Sequence, residues 1–147
     1  MAMRVGSIDS NTEVVTQDDL DDFEFNGSIS LGAGAILTPA TLSSNQDDYD
    51  PTGFRVSGEI VKSVLRIDCT ADVEITGIVP SATATVNIVT ISNISASKKI
   101  KLKKLNGGSA VANRFLFKAD VTIEKTGAYT IYYDTTSLMW RPYNDPQ

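Results

Sequence analysis

The sequence predicts an all-β protein, a jelly-roll-like antiparallel β-sandwich behind an extended N-terminal arm, and three observations carry that prediction. From Phe54 to Tyr143 apolar residues alternate with polar ones at period two, as half-buried strands require. Clusters of Gly, Pro, Asn and Asp punctuate the alternating runs at the short spacing of sandwich strands. No segment past residue 54 holds the 3.6-residue apolar period of a packed helix.

Taken in order, the lead segment TQDDLDDFEF has the makings of one or two helical turns. Thr16 stands as N-cap, the acids favour the positive helix end, and Leu20 and Phe23 lie three apart. NGSISLGAGAILTPATLSSN follows, small, polar and Gly-rich, better suited to an extended arm that lies on another surface than to a packed core. The arm is expected over residues 1–42 and the β-body over 43–147. In the body, EIVKSVLRIDC places Val61, Leu65, Ile67 and Cys69 on one face, and DVEITGI turns Val73 and Ile75 inward. TVNIVTISNI is apolar on both faces. KKIKLKKL, RFLFK with Phe115 and Phe117, DVTIEK with Val121 and Ile123, AYTIYYD with Tyr129, Ile131 and Tyr133, and SLMWRPY complete about eight strands. Turn residues sit between them at Gly77 and Pro80, Asn106-Gly107-Gly108, Thr126-Gly127 and Asp134-Thr135-Thr136-Ser137.

Composition narrows the function. With 147 residues the chain supports one core without staples. Histidine is absent and Cys69 is the only cysteine, so no Ser-His-Asp or Cys-His pair, His/Cys zinc site or internal disulfide can form within one chain. Only lysine-based or paired-carboxylate chemistry stays open, and the expectation is that the protein is not an enzyme and holds no cofactor or metal. The longest apolar run, LGAGAIL, is too short to cross a bilayer as a helix, and the start lacks the apolar stretch of a secretory signal, so neither membrane nor export is expected. The net charge of −5 is divided unevenly: residues 1–50 hold ten acids against Arg4, a net −9, and residues 51–147 hold twelve bases against eight acids, a net +4. An acidic leader ahead of a mildly basic body is a poor nucleic-acid binder, which needs a concentrated basic surface.

Five features are candidates for function. SSNQDDYDPTGF gathers Asp47, Asp48 and Asp50, without the spacing of an EF-hand loop, and reads as a solvated turn that ends the arm and starts the body. Lys99, Lys101 and Lys103 point away from Ile100 and Leu102; they mark an edge strand, or an ion-pair surface for Asp18, Asp19, Asp21 and Asp22 beside Leu20 and Phe23 of a neighbouring copy. Val89 and Ile91, in the strand apolar on both sides, are expected at an intersubunit contact. Cys69 reads as a buried small hydrophobe. Trp140 and Tyr143 either close the core or stack on a ligand.

The order PATLSSNQDDYDPTGF, VLRIDCTADVEITGI, a Val/Ile-rich strand ending in SNIS, and ANRFLFKADVTIEKTGAYTIYYDTTSLMWRPY resembles a small β-module of tailed-bacteriophage virion proteins, over about residues 38–143. The resemblance implies a jelly-roll homotrimer, found in the virion after assembly in the host cytoplasm, as decoration, spike or fibre tip. The sequence departs from such modules in KSVLR and KKIKLKK and in having no repetitive shaft ahead of the module. The expectation is therefore a capsid decoration or cement protein whose partners are its own copies and a major capsid or other virion protein. A receptor-binding knob of a tail or head fibre, touching glycans through Trp140, Tyr143 or loop residues near Asn106 to Ser109, is the alternative.

Overall fold

The computed structural model describes residues 33–83 and 85–143. The chain divides into two units, residues 1–30 and 31–147, and all described residues belong to the second. Asp18, Asp19, Leu20, Asp21, Asp22 and Phe23 lie outside the described residues.

The described residues are mostly strands and loops, with single 3₁₀ turns at Ala33–Ala35 and Val111–Asn113 and no α-helix among them, so the protein is all-β. Ten strands form: β1 (Ile36–Leu37), β2 (Arg55–Val56), β3 (Glu59–Ile60), β4 (Val64–Ile67), β5 (Val73–Ile75), β6 (Ile88–Asn93), β7 (Ile100–Leu102), β8 (Val121–Ile123), β9 (Ala128–Asp134) and β10 (Met139–Pro142). They make a five-stranded sheet in the order β1-β4-β6-β9-β10, a three-stranded sheet β5-β7-β8 and a small hairpin β2-β3. None of the sheets closes on itself.

Pairing departs from the expected antiparallel winding. β1 with β4, β4 with β6 and β5 with β7 are parallel, and the isolated bridges Leu42–Cys69, Gln46–Ile75 and Tyr49–Ile78 are parallel too. Three stretches, 36–49, 64–78 and 88–102, therefore run side by side in one direction; the second and third cross from the five-stranded sheet to the three-stranded one, and the first follows them by single bridges. Partners lie 28 residues apart at Ile36 and Val64, 26 at Val64 and Thr90, and 27 at Val73 and Ile100. The stack then reverses: β8 lies antiparallel on β7, β9 antiparallel on β6, and β10 folds back on β9. Parallel order escapes a strand-by-strand reading because alternation gives the face of each residue and not the direction of its neighbour.

Residues 36–42, read from sequence as arm, are the first rung of this stack. Leu42 N–H donates to the Asp68 carbonyl, Thr70 N–H returns to the Leu42 carbonyl, and the Leu42 side chain is buried. The rungs bend between sheets where polar side chains take over backbone bonds. Asn93 Nδ2 donates to the carbonyls of Lys98, Ile123 and Glu124 while its Oδ1 accepts from Ser95 N–H, and Ser95 Oγ donates to the Cys69 carbonyl one rung away. Satisfying these buried groups lets the strand turn a corner without stranding a carbonyl in the core.

Both sheets turn their buried faces to a single core. Leu65, Ile67, Val89, Ile91, Ile131 and Trp140 come from the larger sheet, Val73, Ile75, Ile100, Leu102 and Ile123 from the smaller. Each such side chain contributes roughly 1.5–3 kcal/mol when fully buried. Alternation succeeds at β4, β5, β7 and β9. It fails at Val61, 46% exposed, because Lys62 and Ser63 separate β3 from β4. RFLFK forms no strand; Arg114 and Phe115 make single bridges to Gly77, Lys104 and Trp140, and the Phe115 and Phe117 rings stack at 5.0 Å.

Candidate functional site: two outer faces and a clasp

Three surfaces of this stack carry the residues singled out by sequence. The outer face of the five-stranded sheet presents, strand by strand across one register row, Ile36, Val64, Thr90, Thr130 and, through its backbone bond to Thr130, Tyr143. Ile88 pairs with Tyr132 in the next row. Tyr143 meets Tyr132 edge-on at 6.4 Å, and the Thr90 and Thr130 hydroxyls share a 2.8 Å hydrogen bond. These two rows carry no charge between β1 and β9; Lys62, Arg66 and the Arg141–Asp134 ion pair at 2.7 Å stand around them. Ile36, Val86, Ile88 and Tyr143 are 45–59% exposed.

This corrects the expected intersubunit contact and decides between the two readings of Trp140 in favour of core closure. Val89 and Ile91 are fully enclosed in the chain's own core, because in β6 the other parity faces out; the residues free to meet another subunit are Val86 and Ile88. Trp140 is wholly buried, donates Nε1–H to the Ile78 carbonyl at 2.7 Å and packs edge-on against Tyr133, so it closes the core and offers no ligand surface. Tyr143 alone of that pair reaches solvent.

The outer face of the three-stranded sheet is the opposite in character. β7 is its central strand, so the lysine run does not form an edge. Lys99 stands 3.3 Å from Glu124, and Lys103 lies 2.7 Å from Asp120 and 3.8 Å from Glu74. The lysine column thus runs between Glu74 on β5 and the acids at the two ends of β8. Hydrogen bonding to Asp120 raises the pKa of Lys103, and the same bond with that from Lys104 N–H holds Asp120 below its ordinary value. Lys101 faces Thr122 across a shallow polar groove of about 420 Å³, walled also by Asn45, Asp72 and Glu74. Lys99 and Lys103 therefore have acidic neighbours within the body itself.

The third surface is the DDYD stretch, and its carboxylates are spoken for. Asp48, in the left-handed region at φ 46°, accepts from Asn113 Nδ2 at 2.7 Å and Ala110 N–H at 2.8 Å, and these bonds, led by Asn113, lower its pKa. Its own N–H donates to Ser109 Oγ; Ser109 and Thr76 share a 2.6 Å hydroxyl bond, and Thr76 Oγ1 donates to Asp47 Oδ1 at 2.5 Å. Since Thr76 has one proton and gives it to Asp47, Ser109 supplies the proton between the hydroxyls. Asp50 binds Arg55 through two oxygens at 2.5 and 3.0 Å. The stretch is a clasp from the first rung to the second and to loop 105–113, more than the solvated turn its composition implies. Gly77 and Gly108 make it possible: a Cβ on Gly77 would lie 2.5 Å from the Asn113 carbonyl oxygen, and one on Gly108 would lie 2.5 Å from Asp47 Oδ1. Among the described residues no group of three His, Cys, Asp or Glu converges on a metal position.

Cys69 is buried, and desolvation raises its pKa, which disfavours the reactive thiolate. Tyr49 is enclosed, its hydroxyl makes no hydrogen bond, and burial pushes its pKa up to about 12. The buried polar residues that sequence reasoning missed are Thr76, Ser81, Asn93 and Ser95, and Ser109, expected in a loop open to ligand, is buried as well. Their one sequence mark is a polar residue on the inward parity of an apolar run, visible for Asn93 in IVTISN.

No family model, curated protein or solved structure matches the chain.

Proposed function

We propose that the protein is a virion structural protein of a tailed bacteriophage, a decoration or cement protein that binds an assembled shell through its acidic leader and associates with its own copies through the body. The observation that carries this reading is an uncharged patch of two register rows on the outer face of the five-stranded sheet, Ile36, Val64, Ile88, Thr90, Thr130, Tyr132 and Tyr143, bordered on that face by Arg66, Asp134 and Arg141, in a chain whose three-stranded sheet carries a lysine column. In a homotrimer one patch of each copy meets a different patch of the next, and an uncharged, half-exposed patch can take part in such a contact without desolvating or opposing a charge. The resemblance of residues 38–143 to phage β-modules supports the virion setting and a homotrimer. Two sheets over one core support the sandwich part of the jelly-roll expectation, while the parallel rungs do not follow its winding.

Mechanistically, a protein that binds only the assembled shell stabilises it by mass action, because disassembly must first lose the bound copies. The leader, which over residues 1–42 holds seven acids against Arg4 for a net −6, directs the contact toward a basic shell surface and makes it salt-sensitive. The test is binding of the full chain to shells, read as copies per particle. Regular lattice occupancy that falls with added salt and with deletion of residues 1–25 is expected. A few copies per particle, with cell binding by the body alone, would instead establish a receptor-binding knob.

A further inference from the structure

The clasp contains a second chemistry. Loop 105–109 presents Asn106 followed by Gly107, and Asn106 Oδ1 accepts the N–H of Gly108 at 2.8 Å. That bond holds the carboxamide over the following peptide and polarises its Cγ. Nothing lies within 4 Å of the position a Gly107 Cβ would take, so the following nitrogen is unhindered and a ring has room to form. The other described asparagines are followed by bulkier residues: Gln46, Ile88, Ile94 and Arg114.

We propose that Asn106 is a site of self-catalysed deamidation that reports on the clasp. The Gly107 amide nitrogen attacks Asn106 Cγ and gives up its proton; the carboxamide nitrogen leaves with it as ammonia, and a five-membered succinimide remains. Water opens the ring at Cγ to give aspartate, or at the main-chain carbonyl carbon to give isoaspartate with the backbone rerouted through Cβ. No oxidant or cofactor enters. Aspartate places a carboxylate where Asn106 Oδ1 and Asp47 Oδ1 now crowd Gly108, at 3.1 and 2.5 Å from where its Cβ would be, while isoaspartate carries its free carboxylate on Cα and takes the former Cγ into the main chain. Two like charges there repel, and the extra backbone carbon of isoaspartate enters a loop already in contact with Gly77. The modification loosens the hold of loop 105–113 on the first rung, independently of whether the protein decorates a shell.

The experiment incubates the full folded chain in mildly alkaline buffer and maps the tryptic peptide 105–114, which separates this site from Asn26–Gly27. The peptide should gain one mass unit, divided between aspartyl and isoaspartyl forms. Gly107→Ala, which has open space for its methyl group, should slow the gain severalfold with unchanged melting. An unconverted peptide, under conditions where synthetic LNGGSAVANR converts, would overturn the site. The link to the clasp is tested by Asn106→Asp, which should melt below the parent and recover when Asp47→Asn is added. Melting of Asn106→Asp at the parent temperature would overturn that link.

Discussion

The two sheets differ most where they are most alike in construction. Two of the rungs supply strands to both: β4 continues into β5 and β6 into β7, and every one of these strands sends its buried residues to the common core. Outward, the middle of the five-stranded sheet shows isoleucine, valine, threonine and tyrosine, with Arg66, Asp134 and Arg141 at its border, and the three-stranded sheet shows a lysine column between acids. The inward parity determines whether the chain folds. The outward parity is left to determine what the folded surface meets, and here one side is fit for contact with another apolar surface and the other for water.

The largest effect should come from the core both faces share. Trp140→Ala removes the largest buried side chain and leaves the Ile78 carbonyl without its donor. It should cost about 3–5 kcal/mol in denaturant unfolding, and both faces should be lost together in one transition. A loss under 1 kcal/mol, or separate transitions for the two sheets, would break the premise of one core. Gly77→Ala comes next, at about 1–3 kcal/mol, because its methyl group meets backbone and Ser109, neither of which yields cheaply.

A smaller effect separates the hairpin that borders the neutral face from the rest. Thr136 N–H, then the Ser137 hydroxyl and Arg141, hold Asp134 at a pKa of about 2, below the unfolded value of about 3.9. A depressed folded pKa means stabilisation that is complete above the unfolded value and is lost as pH falls from about 4 through about 2. Asp134→Asn should remove part of the acid slope of melting temperature in that window and leave the neutral-pH slope alone. An unchanged acid slope would show that the turn holds no differential charge energy.

The legible and illegible parts of this molecule divide along the same line. Leu65, Ile67, Val73, Ile75, Ile100, Leu102, Ile123 and Ile131 stand where alternation puts them, since parity is a local property. The parallel rungs were illegible because their partners lie 26–29 residues apart without repeated sequence. Val89 and Ile91 were assigned to the wrong side because β6 is apolar on both parities, and only its neighbours decide which one the core takes. The aspartates of DDYD were visible as a cluster, but their partners Thr76, Ser109 and Asn113 come from distant loops. Lys103 looked like an edge residue because Glu74 and Asp120 are far from it in sequence.

The comparison of the faces sharpens most under a paired substitution whose effect on stability is the smallest of all. Ile88 is half exposed in the middle of the neutral face, and Lys101 occupies the middle of the charged one. Ile88→Lys should shift folding stability by no more than about 0.5 kcal/mol, as exposed substitutions do, yet place a charge where copies of the chain are proposed to meet. Lys101→Ile should also leave folding nearly intact, since Ile100 and Leu102 keep their parity. Light scattering at matched concentration then separates the faces: the Ile88 variant should dissociate and the Lys101 variant should retain the parent's mass. If the parent is a monomer throughout, or if only the Lys101 variant changes mass, the neutral face is not the self-contact. The charged ladder, whose exposed pairs contribute little to stability, would then be the better candidate for the surface that meets a partner.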